Sequence, residues 1–280
     1  MSWTIFFAVL LAASMHAGWN TLIKLSRDGT AAITLVMSAG GVFALPLLFV
    51  FAAPHGRGII LLALSIPAHI LYYIWLNRAY AKGDMGQVYP LARGAAPLLT
   101  ALISAVFLHE GLSLPAWAAI IVLSSGIMLM ALRGGAGRLR IKAVKLALTT
   151  SVFITAYTLI DGWGGRLSPS GAGFAAWLMF LETPVILAIA PFWGGGNIYR
   201  RMAREWKTGL AGGALATTGF TIVIWAMSQA PVAAIAALRE SSILFAMGLS
   251  VLVLGEKVSG WRIVSAAFIL AGVIGLRLAG

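Results

Sequence analysis

Ala92-Arg93-Gly94 through Phe107-Leu108-His109-Glu110-Gly111-Leu112-Ser113, and Leu238-Arg239-Glu240 through Val253-Leu254-Gly255-Glu256-Lys257-Val258-Ser259, are two versions of one stretch. Without a gap, Arg93 falls on Arg239, Ser104 on Ser250, Leu108 on Leu254, Glu110 on Glu256, Ser113 on Ser259 and Gly126 on Gly272. Self-similarity at one fixed offset divides the 280 residues into two halves, 1–134 and 141–280. The match continues outward. Thr21-Leu22-Ile23-Lys24 corresponds to Thr158-Leu159-Ile160-Asp161, and Pro46 to Pro184.

Each repeated arginine stands inside an apolar run, and the whole chain is built of such runs. Apolar residues make up 60% and charged residues 10%, against about 25% charged in a soluble domain. A water-soluble fold of this length cannot bury that much apolar surface, so the bilayer is the expected solvent. Ten runs are long enough to cross it as helices: 3–24, 31–53, 59–80, 86–108, 115–132, 143–163, 172–193, 208–228, 232–254 and 260–278. They are continuous rather than alternating, which argues for helices over a β-barrel. Gly/Pro/Asp-rich breaks such as Arg27-Asp28-Gly29 and Gly134-Gly135 separate them. The expected fold is an all-α integral membrane protein. Five spans per half is odd, so the halves enter the membrane in opposite directions as an inverted repeat.

Several classes are excluded or disfavoured. The chain has no cysteine, which removes disulfide and thiolate-metal chemistry, and no cofactor is expected. A net charge of +12 could suggest nucleic acid, but the basic residues lie in short loops between apolar runs. Met1-Ser2-Trp3-Thr4 lacks the positive segment that opens a signal peptide. The expected partners are membrane lipids and a small-molecule substrate, with the chain a monomer or homodimer. Of the 20 Lys and Arg residues, fifteen fall on one side of the spans; Arg57, Arg166 and Arg277 fall on the other, and Arg93 and Arg239 fall within. The positive-inside rule then puts both termini outside a bacterial inner membrane.

Ten spans, two halves of five and a Leu-x-Glu turn after spans four and nine resemble the EamA family of the drug/metabolite transporter superfamily. The matching stretches are Leu108-His109-Glu110-Gly111-Leu112-Ser113 and Leu254-Gly255-Glu256-Lys257-Val258-Ser259, each followed by a span with a late glycine, Gly126 or Gly272. His16-Ala17-Gly18-Trp19-Asn20 and Tyr89-Pro90-Leu91-Ala92-Arg93-Gly94 are similar to a subgroup found with phosphonate utilisation. The resemblance implies a secondary transporter with a central cavity, commonly an exporter of amino acids or other metabolites. Family members often carry more positive charge after span two, where this chain has only Arg57. The orientation is therefore taken from its own charges.

A guanidinium in lipid is unfavourable by roughly 2.5–3.5 kcal/mol even on the lenient insertion scale. Arg93 and Arg239 each lie about seven residues into a span, roughly 10 Å below opposite surfaces. Equivalent cations at mirror depths suit the charged ends of a substrate cavity; snorkelling or pairing with a carboxylate such as Glu240 is the alternative. Glu182 stands near the middle of span seven, two residues before Pro184, where the repeat places Ala44. An intramembrane carboxyl that breaks the symmetry is a candidate proton carrier, and equally a structural partner for an arginine or for backbone freed near the proline. Glu240 and Asp161 are runners-up; Asp161 lies close to a span end and reads rather as a boundary residue.

Aromatic and polar residues supply the candidate lining. Trp19, Asn20, Tyr73 and Tyr89 lead, by shared helical face or nearness to charge, ahead of His16, His69, Tyr72, Trp75, Tyr157, Trp177, Trp225 and Gln229. Glu110 and Glu256 belong to turns ending at Ser113 and Ser259 and read as structural, beside N-caps of spans five and ten. Gly209 and Gly213 suit close helix packing. Paired arginines in a dry cavity favour a carboxylate, phosphate or phosphonate. An intramembrane enzyme acting on a lipid or polyprenyl substrate is the alternative; it lacks an HExxH-type motif or a tight acid pair. A channel is disfavoured by the lack of a charge ring or filter signature.

Overall fold

Backbone amides in hydrocarbon must be satisfied within their own segment, so apolar runs become helices and the loops carry the turn chemistry. A computed structural model describes residues 1–133, 140–253, 255, 256 and 258–279; Gly134, Gly135, Leu254 and Lys257, named above, lie outside the described residues. The described chain is helical, with ten helices long and apolar enough to cross a membrane. Span one is α1 (Trp3–Leu25), whose first turn is capped by the Ser2 hydroxyl accepting from Ile5 N. Span two is α2 (Gly29–Ala44) and α3 (Leu47–Val50), interrupted where Pro46 has no N–H to give. Spans three to five are α4 (Arg57–Tyr80), α5 (Met85–Phe107) and α6 (Leu114–Arg133).

The second half repeats the order. Spans six and seven are α7 (Ile141–Leu167) and α8 (Gly171–Gly194), the latter capped by Ser170. A short helix rich in arginine, α9 (Ile198–Arg204), was not anticipated; its Arg201 pairs with Asp28, which also caps α2. The Arg201 guanidinium holds the Asp28 carboxyl below its ordinary range. Span eight is α10 (Trp206–Gln229) and span ten is α13 (Gly260–Leu278).

Span nine departs from the expected single helix. It consists of α11 (Val232–Arg239) and α12 (Ser242–Leu252), separated at Glu240-Ser241. There the hydrogen bonds tighten by one residue: Glu240 N donates to Ala237 O, and Ser241 N to Leu238 O, each at 3.0 Å. Its mate α5 runs unbroken through Arg93.

The halves interlock. Helices α4 and α5 pack on α7, and by the repeat α10 and α12 pack on α1; α2 meets α8 and α6 meets α13 about the pseudo-two-fold axis. Two repeated glycines set the last contact. A Cβ on Gly126 would stand 2.8 Å from Ser265 O, and one on Gly272 would stand 2.7 Å from Ala119 O. Gly209 and Gly213 lie against Leu35 and Ala39, bringing α10 onto α2 as their spacing suggested.

Gly272→Ala should therefore lower the thermal midpoint in detergent, by the equivalent of about 1–3 kcal/mol for overpacking. Gly248→Ala, where a Cβ meets nothing within 4 Å, should leave it unchanged or raise it, since alanine is the better helix former by about 0.5–1 kcal/mol.

Candidate functional site

A cavity of about 1120 Å³ runs between the halves. It begins among buried residues at mid-span and reaches the face that bears Lys24, Arg133, Glu256 and Arg262. Of the residues singled out from sequence, Trp19 and Asn20 on α1, Tyr73 on α4, Tyr89 and Arg93 on α5, Glu182 on α8 and Arg239 at the end of α11 all line it. His16, His69, Tyr72 and Tyr157 join them. Trp75, Trp177, Trp225 and Gln229 do not. Trp75 instead stacks on Phe153 under the Arg78 guanidinium, and Trp177 meets Phe180 edge to face.

The two arginines have different surroundings. Arg93 is spent on a carboxylate: its Nε donates to Glu240 Oε2 at 2.9 Å, and Nη2 lies 2.7 Å from Glu240 Oε1. Both side chains are almost wholly buried, and the guanidinium lies 5.9 Å from the Tyr89 ring centre. The pair is a buried ion pair with one charge-assisted hydrogen bond, from Nε; Nη2 makes the close charge contact without a hydrogen bond of its own. Glu240 stands behind the cavity wall at the break between α11 and α12, so the pair ties α5 of one half to the interruption in its mate.

Arg239, next in the chain, points the other way and lines the cavity. It is only 9% exposed, and among the described residues its Nε has no hydrogen-bond partner. Glu182 is 8% exposed, and its Oε1 likewise has no hydrogen-bond partner among the described residues. Unpaired polar atoms at such burial are unfavourable, and these two face one cavity.

Asp161 corrects the sequence reading. Helix α7 continues to Leu167, so Asp161 is an interior residue, 1% exposed, and not a boundary one. Ser65 Oγ donates to its Oδ1, and His69 Nε2 stands 3.5 Å from its Oδ2. His69 in turn stacks on Tyr157 with ring centres 4.3 Å apart. Helices α4 and α7 thus carry a polar cluster in which His69 lines the cavity, with Asp161, a runner-up from sequence, and Ser65, which was not a candidate, behind it. No group of three or more His, Cys, Asp or Glu able to hold a metal occurs among the described residues.

The small polar side chains between these groups satisfy themselves locally. Asn20 Nδ2 donates to His16 O at 2.7 Å, and the Tyr73 hydroxyl reaches Met37 Sδ at 3.0 Å. His16 meets Trp19 edge to face at 4.9 Å, so the expected shared face of α1 is presented to the cavity as one surface.

Arg93→Leu should unfold the protein at a markedly lower temperature in detergent, because removing one partner of a buried pair costs about 3–5 kcal/mol. Adding Glu240→Leu should restore most of that loss. A double variant no more stable than Arg93→Leu alone would show that the pair is not what holds these helices.

Residues 141–278 match the EamA-like transporter family. A solved crystal structure shares the fold over 99% of this chain and 97% of its own, with a TM-score of 0.75 and 16% identity. No curated protein matches the sequence. The chain is thus a multi-pass membrane protein by its ten apolar helices, with a second half similar to the EamA-like transporter family and a fold shared along its whole length with that solved structure.

Proposed function

We propose that the protein is a secondary transporter that carries a small polar metabolite, an amino acid or a small organic or phosphonate anion, across the bacterial inner membrane by alternating access. The observation that carries this reading is the contrast between the arginines: Arg93 has Glu240 as its counter-charge, while Arg239 lines the buried cavity with no carboxylate partner among the described residues. An anionic group docks on Arg239 through charge-assisted hydrogen bonds, which are strongest where water is excluded. Trp19, Asn20, Tyr73 and Tyr89 shape the remainder of the site, and Arg93 holds the helix break that presents Arg239.

Glu182 is the proton-coupling residue in this reading. It faces the same cavity from α8 and has no equivalent in the first half, where the repeat places Ala44. Glu240 is committed to Arg93 and serves the site by position. The fifteen-to-three distribution of basic residues supports a mouth on the cytoplasmic side, with both termini outside.

The substrate class follows from a thermal-shift screen of purified protein against amino acids, phosphonates and organic acids, since a ligand that binds only the folded state raises its midpoint. For the best ligand, Arg239→Gln should weaken binding about 10–100-fold, the equivalent of losing charge-assisted bonds worth about 1.5–3 kcal/mol. Unchanged affinity would remove Arg239 from the site. In proteoliposomes, Glu182→Gln should abolish accumulation driven by a pH gradient while sparing substrate counterflow. Undiminished pH-driven accumulation would exclude Glu182 as the coupling group.

A further inference from the structure

Glu110, in the turn between α5 and α6, does more than end a helix. Its Oε1 accepts from Val232 N, the first residue of α11, at 3.0 Å, and lies 2.5 Å from Arg166 Nη1. Arg166 also donates from Nε to Met227 O at 2.8 Å and from Nη2 to Ala230 O. One residue of the first half therefore seals the α10–α11 corner of the second, at the face opposite the cavity mouth. The Glu110 side chain is buried by this arrangement. A carboxylate at a helix N-terminus is held by free N–H groups and by the helix dipole together.

The repeat provides a second copy of these parts. The offset that sets Arg93 on Arg239 sets Glu110 on Glu256 and Val232 on Gly86, near the start of α5. Glu256 has acquired half of the arrangement: it pairs with Lys24 at the end of α1, as Glu110 pairs with Arg166 at the end of α7, the mate of α1. That hydrogen bond holds the Glu256 carboxyl below its ordinary range. Yet Glu256 and Lys24 line the open mouth and remain partly exposed. The helices differ in the same sense. Helix α5 packs along α6, whereas its mate α12 barely touches α13.

We infer that Glu110 and Glu256 are the two plugs of the transport cycle, engaged in alternation. In the state described, Glu110 closes one face. In the opposite state Glu110 releases Val232 and Arg166, α12 closes onto α13, and Glu256 accepts from the N–H of Gly86, with Lys24 turned to the carbonyls of the α4–α5 corner. The inference rests on alternating access as proposed above.

The natural absence of cysteine makes the test direct. Ala216→Cys places one thiol on the cavity wall in α10. In oriented vesicles a membrane-impermeant maleimide should label it mainly from the face bearing Lys24. Glu110→Gln should raise labelling from the opposite face about tenfold, the effect of removing one charge-assisted pair. Glu256→Gln, a change at a partly exposed side chain that spares folding, should lower it. Labelling rates unaffected by either variant, or shifted in the same direction by both, would overturn the assignment. Counterflow of the best thermal-shift ligand in the same vesicles separates the two readings. Wild-type protein without counterflow would refute the transporter reading, and counterflow with unaltered labelling would refute the plugs alone.

Discussion

The buried pair of Arg93 and Glu240 is the interaction on which the rest of this structure depends. A guanidinium and a carboxylate can share a hydrocarbon environment only if each satisfies the other. Here they pair across the two halves of the molecule. The pairing has a geometric consequence. Glu240 must reach α5, and it does so from a tightened turn that ends α11 and begins α12. The residue before it, Arg239, is thereby directed into the cavity with part of its donor set unused. One arginine of the repeat has become scaffold, and its mate has become the group available to a ligand.

Around that fixed point the inverted repeat explains both likeness and difference. Contacts such as α4 on α7 and α10 on α1, or Gly126 and Gly272 in the α6–α13 crossing, follow the symmetry. Others depart from it: α5 lies on α6 while α12 is parted from α13, and Glu110 is sealed while Glu256 stands at an open mouth. An inverted repeat held in one asymmetric state has a second state available by exchanging the roles of its halves. Cavity, plugs and helix break are three aspects of that asymmetry.

Much of this was legible in the residues alone, because bilayer physics is severe. Ten apolar runs had to be helices, and the gapless match of Arg93 with Arg239 announced the repeat. The candidates nearest charge, Trp19, Asn20, Tyr73 and Tyr89, do line one cavity with both arginines and Glu182. What stayed hidden was set by tertiary contact. The break in span nine carries no proline or glycine at Glu240-Ser241, so local propensity gave no sign of it. Asp161 looked like a boundary residue because the sixth apolar run reads as ending at 163, whereas Arg166 is drawn back to Glu110 and the carbonyls of Met227 and Ala230, and α7 continues. Glu110 read as a turn residue because its partners lie more than fifty positions away. The arginine-rich α9 is too short for hydrophobic periodicity to reveal.

The central claim is that Arg93 is structural and Arg239 recognises the substrate. Titration calorimetry of the best thermal-shift ligand against the Arg93→Leu/Glu240→Leu double variant tests it most directly, since that change removes the pair without stranding a charge. The account predicts an affinity within a few-fold of the unaltered protein. A loss comparable to that of Arg239→Gln would mean that Arg93 binds the substrate itself, and would contradict it.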